Sequence, residues 1–444
     1  SNHDPSFKTG CPDLFDPQVL PSYSIDIDDV AWAGITAEFN DLAPVLAGTP
    51  RDTYFPVVFH FGDEVVTDAA IRLKGQSSWV STIHHDANPK MQFVVAFDQF
   101  NPKGKFHGIS KLHFDMTRSD WTFLNERLAN TWLRQVGIAA PCTNNAKLFI
   151  NGAYYGLYAT EESKGAHLFK TFFPNNPDGD LWKGGVDPEA GKNEPNWERQ
   201  KQFWKAMDIT AMSQIVDLPT AVTAWASEAV LNDGDGYYGG AHNFLLYDQG
   251  AAGFAFVPTD LDSTIEWMTV NTSIGIRQHP IFWWANRPGM NTPGQHYLLV
   301  MNDPTWRARY VEAIAAQLAK WDPLQMQGLI DAWSAQIAEA IALDPHKAAT
   351  PEQVQTAIAA ARDGVAGRAT FLQSFVECER GQPAADNDGD GVPWCNDCND
   401  EAASVLPGAV DACGNGIDDN CNGVVDENCS GQPAAPAAAS GTTP

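Results

Sequence analysis

The stretch 232–266, NDGDGYYGGAHNFLLYDQGAAGFAFVPTDLDSTIE, constrains this chain more than any other part of it. Two apolar runs, 244–247 and 254–258, flank a Gly-rich turn and so predict a β-hairpin. A hairpin lays the start of its first strand beside the end of its second. That geometry carries Asp235 and Asn243, from a cluster that also holds Asp233 and His242, towards Asp260 and Asp262. Several hard oxygen donors in one place suit Mg²⁺ or Ca²⁺ better than a soft metal. The same residues also serve as turn formers, but two separate clusters that converge favour a metal site.

The rest of the pattern is α+β. Alternating or short apolar runs predict strands over 23–27, 54–61, 68–73, 91–97, 111–114, 146–150, 154–160 and 181–183. Asn151-Gly152 between two such runs is a strong hairpin signal. Helical spacing predicts helices over 31–39, 197–207 and 220–231, and one starting at Asp120 with a stop at Gly137. Three more are expected over 304–375, broken near Asp322-Pro323 and Asp344-Pro345. Strands come mostly first and helices later, the layout of a two-lobed enzyme. After the strand ending at Leu73, Gly75-Gln76-Ser77-Ser78 reads as a loop that presents backbone N–H groups to phosphate, and His84 and His85 fall in a solvated insertion.

A net charge of −27 argues against a nucleic-acid surface, which needs basic patches. No apolar run is long enough to span a membrane. No signal peptide opens the chain, and SNHDPS reads as a processed or engineered end. Five of the eight Cys (Cys395, Cys398, Cys413, Cys421 and Cys429) crowd into the acidic C-terminal part, where a disulfide-stapled module and an oxidising, secreted or cell-surface setting are expected. Cys395 and Cys398 have the C-x-x-C spacing of a zinc site, but a second such pair is missing.

Several motifs occur in one order: RLKGQSSW, PK before a strand, NGAYYGLYATEE, LWKGG, DGYYGGAHNFLLY and VPTDLD. This combination resembles the spore-coat CotH kinase family, atypical protein kinases with a distorted two-lobed kinase-like fold. The resemblance implies transfer of the ATP γ-phosphoryl to Ser or Thr of a surface or coat protein, with Mg²⁺ or Mn²⁺. Asp235 matches the catalytic Asp, Asn243 the metal-binding Asn, and Asp260 and Asp262 the paired Asp, one or both on metal. Lys90, Arg72 and Lys183 would balance phosphate charge, and Glu162, with Glu161 one position off, would pair with the Lys or help hold metal. The chemistry agrees, since phosphoryl transfer needs cations on the phosphates, metal, and a carboxylate that orients the acceptor. Thr259 stands where the family usually has an aromatic.

The organisation expected is an N-terminal extension over 1–50, a kinase-like domain over 51–377 with a helical C-terminal part, an acidic Cys-rich calcium-binding module over 378–430, and a disordered tail over 431–444. The module resembles thrombospondin-type calcium motifs. Asp386, Asp388, Asp390, the Val392 carbonyl and Asp397 follow calcium-loop spacing, and Asp418, Asn420 and Asn422 repeat it before Asp426 and Glu427. Calcium would rigidify this module as a spacer, because its carboxylates repel one another without metal. A second function fits the same residues: a non-catalytic calcium-binding adhesion protein on a kinase-like scaffold, whose 15 Trp serve recognition. A hydrolase with paired carboxylates is weaker, because the clusters carry amide and Lys partners that suit phosphate better than sugar.

Overall fold

The structure, a computed structural model, describes residues 10–49, 53–118, 120–190, 195–265, 279–282 and 294–427. Strands β1 (Ser22–Asp26), β2 (Phe55–Phe61), β3 (Glu64–Leu73), β4 (Phe93–Ala96), β5 (Lys111–Asp115), β6 (Thr143–Ile150) and β7 (Ala153–Glu162) form a closed barrel in the order β1-β2-β3-β4-β5-β7-β6. Neighbours are antiparallel except β1 and β6, which run parallel and close the ring. Alternation along the strands explains the interior: Tyr23, Ile25, Phe59, Ile71, Phe93, Leu112, Phe114, Leu148 and Tyr158 pack inside the barrel. The β6–β7 turn places Asn151 and Gly152 at φ 48° and 78°, the left-handed region that Asn-Gly favours.

Two expectations are corrected here. The supposed N-terminal extension is part of the barrel: β1 pairs with β2 and β6, and α1 (Asp29–Asn40) and α2 (Leu42–Leu46) follow it. Without β1 the barrel would have two open edges. A Cys11–Cys142 disulfide fastens the same segment. The supposed Gly/Ser phosphate loop is only half irregular: Gly75 and Gln76 stay outside helix α3 (Ser77–His85), which takes in Ser77 and Ser78 and carries His84 and His85 in its last turn. Trp79 is buried there, stacked on Phe39 and donating to the Phe39 carbonyl at 2.8 Å. Burial of that indole wins over the turn preference of Gly-Gln-Ser-Ser.

Helix α4 (Asn125–Val136) begins later than Asp120 and ends at Gly137, φ 89°. The chain then runs through α5 (Ala166–Phe172), β8 (Leu181–Lys183), β9 (Asp187–Ala190), α6 (Trp197–Lys205), α7 (Ile209–Ile215), α8 (Leu218–Leu231), α9 (Tyr237–Gly240), β10 (Phe244–Asp248) and β11 (Phe254–Pro258). These strands form a second sheet ordered β11-β10-β8-β9. A helical layer follows: α10 (Gln295–Met301), α11 (Pro304–Leu318), α12 (Pro323–Leu343) and α13 (Pro351–Glu379). The last three are those expected from sequence. Each starts with Pro in its first turn behind an Asp or Thr cap, at Asp303, Asp322 and Thr350. One hydrophobic core joins the second sheet, α4, α8 and this layer. Among the described residues, no helix is long and apolar enough to cross a membrane.

The acidic module is not a free spacer. Cys395, Cys398, Val405 and Cys421 belong to that same core. Trp394 packs against Phe371, Phe375 and His279, and Gly423 lies so close to Leu298 that a Cβ would not fit. Arg307 on α11 reaches Glu379 at 2.5 Å and Asn396 at 2.8 Å. Cys395 bridges to Cys378 on α13 and Cys398 to Cys421, so the C-x-x-C pair is divided between two disulfides and is not a zinc site. Cys413 is also disulfide-bonded. Cys429 and the expected tail lie outside the described residues.

Candidate functional site

The hairpin forms in the expected register, from Phe244 opposite Pro258 to Asp248 opposite Phe254, with the Thr259 N–H on the Asn243 carbonyl at 2.9 Å. Asn243 Nδ2 donates to Asp235 Oδ2 at 2.9 Å. Burial pushes the Asp262 carboxyl up to about 8, and Asp260, Asp120 and Asp235 add to the effect. The four residues expected here therefore share one electrostatic environment. Asn243 (φ 48°) and Asp260 (φ 59°) hold left-handed backbone, as do Asn232, Ala241 and Ile265 close by in sequence. Such residues cost roughly 1–3 kcal/mol each and persist where the surroundings impose them.

The first turn of α4 does part of that imposing, and the sequence reading missed it. Asn125 Nδ2 donates to the carbonyls of Asp262 (2.9 Å) and Thr264 (3.1 Å), and Glu126 Oε2 accepts the Leu261 N–H at 2.8 Å. Asp120 accepts the Asn125 N–H at 2.8 Å, and its own carboxyl is pushed up to about 6 by burial. Only an unusual run of polar residues at the start of an apolar helix, Asn125-Glu126-Arg127, marks this in the sequence. On the other side, buried Glu228 accepts the Tyr238 N–H at 3.0 Å beneath the loop that carries Asp235. Gly236 lies against both Glu228 and Asp233, too close for a side chain.

The outer face of the barrel carries the cations. Strand register puts Arg72, Val94, His113 and Glu161 in one row across β3, β4, β5 and β7. Lys74 and Asp115, two residues further along β3 and β5, form an ion pair. Lys164 Nζ lies 2.6 Å from Glu161 Oε1, and His113 Nδ1 3.3 Å from the same oxygen. Burial works against ionisation of Glu161, but Lys164, His113 and Lys74 hold its carboxyl well below the usual range. The face is coupled to the hairpin through Glu126, whose carboxyl is raised by burial and then by Glu161 and Asp260.

Three sequence-predicted residues lie elsewhere. Glu162 faces the opposite side of β7 from Glu161, taking His167 Nδ1 at 2.5 Å and the Cys142 N–H at 2.9 Å. One step along a strand reverses the face. Lys90 is buried, its ammonium 2.6 Å from Asp344 Oδ2 and 2.5 Å from the Leu157 carbonyl. Burial pushes this ammonium down against the pull of Asp344. Lys183 is exposed opposite Leu245 on the second sheet, near the start of β10. Arg72 stays on the barrel face, donating to the Tyr54 hydroxyl at 3.1 Å and the Leu73 carbonyl at 2.9 Å.

The C-terminal loops form a second polar centre. Asp386 accepts the Gly389 and Gly391 N–H groups, Asp388 that of Asp390, and Asp390 that of Val392. Ligating atoms of Asp388, Asp390 and Asp397 lie within 4.8 Å of one another, and so do those of Asp386, Asp388 and Asp400. The Oδ2 atoms of Asp388, Asp390 and Asp397 are buried without hydrogen-bond partners. Asp397 is 2% exposed, and its carboxyl is pushed up to about 6, first by burial. Asp400 escaped the sequence reading because it lies past the loop spacing. In the second loop Asp418 accepts the Asn422 and Gly423 N–H groups, while Asn420 and Asn422 both reach Glu427 at 2.6 Å. Asp411, not anticipated, accepts the N–H groups of Asn420 and Glu427.

Two family models match the chain. Residues 71–377 match the family model described as "CotH kinase protein". Residues 397–427 and 424–432 match the Cu-binding MopE model, described as a "putative metal-binding motif". No curated protein matches the chain.

Proposed function

Because the chain belongs to the CotH kinase protein family, we propose that it is a secreted or cell-surface kinase that moves the γ-phosphoryl of ATP to a Ser or Thr hydroxyl of a surface or coat protein. The observation that carries this reading is the convergence of Asp235, Asn243, Asp260 and Asp262 at one end of the hairpin, joined through Glu126 to the Lys-bearing barrel face. Asp235 orients the acceptor hydroxyl and takes its proton; burial already raises its carboxyl, the direction a general base needs. Asn243, Asp260 and Asp262 are oxygen donors suited to Mg²⁺ or Mn²⁺. Bound there, such an ion neutralises phosphate charge. Arg72 and Lys183 remain candidates to add positive charge, and Lys90 does not, since Asp344 already pairs it.

For the C-terminal loops we propose calcium. Their donors are carboxylates and amides, residues 386–427 contain no His or Met, and Cys395, Cys398, Cys413 and Cys421 are in disulfides. Copper and zinc favour those softer ligands, whereas carboxylate and carbonyl oxygens suit calcium. The disulfides also support an oxidising compartment.

The test is incubation with γ-labelled ATP and Mn²⁺ or Mg²⁺, with label transfer to the chain itself or to an added Ser/Thr protein as the readout. Asp235→Ala should abolish transfer and leave melting unchanged. A wild-type chain that neither transfers label nor is stabilised by ATP with metal would favour the adhesion reading instead.

A further inference from the structure

We propose that Lys164 is the residue that meets the phosphate groups of the nucleotide, with Glu161 as the positioning residue that aims its ammonium. This rests on the nucleotide reading above.

The site's immediate surroundings are strongly acidic. Glu126 feels Glu161, Asp260 and Asp115, and Glu161, Glu126 and Asp115 all act on Lys164. A polyphosphate enters such a place only against cations fixed beside it. The five Lys and Arg side chains named by the sequence motifs or lying on this face can be compared directly. Arg72 donates to the Tyr54 hydroxyl and the Leu73 carbonyl. Lys90 is 3% exposed and paired with Asp344. Lys183 lies exposed on the second sheet. Lys74 is joined to Asp115 on the row behind. Lys164 is the one of these that is both held by Glu161 and attracted by Glu126. Glu161 on the barrel holds its ammonium at 2.6 Å, and the next-largest attraction comes from Glu126, whose Oε2 takes the Leu261 N–H between Asp260 and Asp262.

The arrangement also leaves capacity for a ligand. Lys164 sits in the turn between β7 and α5, and its side chain is 17% exposed, so it is reachable where Lys90 is not. An ammonium has three donors, of which Glu161 engages one. Burial acts to lower its pKa, but Glu161 and Glu126 overcome it and keep the group charged. Glu161 in turn is 3% exposed, and its Oε2 is buried without a hydrogen-bond partner, although Oε1 is engaged by Lys164. Its burial beside the Lys164 ammonium limits where that ammonium can sit. A Lys held by a Glu against the phosphates is the pairing that ordinary kinases need; here both members come from the end of one strand and the turn after it.

The experiment measures binding of ATP with Mn²⁺, and of Mn²⁺ alone, by calorimetry, on wild type, Lys164→Ala, Lys164→Arg, Glu161→Gln and the Lys164→Ala/Glu161→Gln double variant. Apo melting of each serves as the fold check. Loss of one charge-assisted contact should weaken ATP·Mn²⁺ binding by about tenfold to a hundredfold in Lys164→Ala. Mn²⁺ alone should bind as in wild type, and Lys164→Arg should recover part of the loss. Glu161→Gln should weaken ATP binding only while Lys164 is present, so that the double variant is no worse than Lys164→Ala. Wild-type ATP affinity in Lys164→Ala would overturn the assignment, and additive losses in the double variant would remove Glu161 from its positioning role. If wild type itself binds no ATP with Mn²⁺, the nucleotide reading fails and this inference with it.

Discussion

Replacing Lys90 by Met separates a structural from a nucleotide-binding role for the Lys that the sequence motif singles out. The ammonium lies 2.6 Å from Asp344 Oδ2 and 2.5 Å from the Leu157 carbonyl, and stands 4.4 Å from the centre of the Tyr158 ring. Asp344, fully buried at the end of α12, also accepts the Leu157 and His346 N–H groups at 2.8 Å. The pair thus ties the helical layer to β7. Met fills the space of the Lys stem but leaves the carboxylate buried with no cation. Breaking a buried pair in this way costs about 3–5 kcal/mol. At roughly 2–4 °C per kcal/mol for a domain of this order of size, melting should fall by on the order of 10 °C. The assay is thermal unfolding with and without ATP and Mn²⁺ below the new transition. A ligand at a hundred times its dissociation constant adds about 2.7 kcal/mol, and Lys90→Met should keep that increment. Wild-type melting with the increment lost would refute the reasoning and return Lys90 to the phosphates.

Three further outcomes follow from the same structure. Glu228 is 1% exposed, and burial raises its carboxyl to about 8, so between about pH 4.5 and 8 the folded chain keeps a proton that the unfolded chain has released. Stability therefore falls as pH rises through that window, with buried Asp262 and Asp120 adding to the same slope; Glu228→Gln should flatten the slope by this group's share and melt higher than wild type at pH 8, by roughly 3–5 kcal/mol in urea titrations, and an unchanged slope would exclude Glu228 as a source. Chelating calcium should lower the melting temperature of the whole chain in one transition, because Trp394 and Cys395 pack into the body; a separate low-temperature transition would show the module to be independent. Gly156→Ala should destabilise strongly, since φ is 155° and the new Cβ would lie 2.8 Å from Asp344 Oδ2 and 2.9 Å from Lys90 Cε; wild-type melting would show that the pair can shift.

Much was legible in the sequence where chemistry is local. The hairpin ends, the Asn-Gly turn, the three Pro-led helices and the Asp spacing of the first acidic loop each depend on residues within a few positions of one another, so pattern sufficed. Asp235, Asn243, Asp260 and Asp262 came together for the same reason, since one hairpin register decides their neighbourhood.

What the sequence determined by itself was an α+β chain with a carboxylate–amide cluster at a hairpin, belonging by its ordered motifs to one family. Only the tertiary structure decided which charges reach that cluster. Lys90 is claimed by Asp344, 254 residues away. Glu161 and Glu162 differ only in which face of β7 they occupy, and the barrel registers that choose the face involve strands far apart in sequence. β1 lies in what reads as an extension until the edges of β2 and β6 require it. Local pattern fixes what an element is. Ion pairing, strand facing and edge closure depend on long-range partners, and these exist only once the chain has folded.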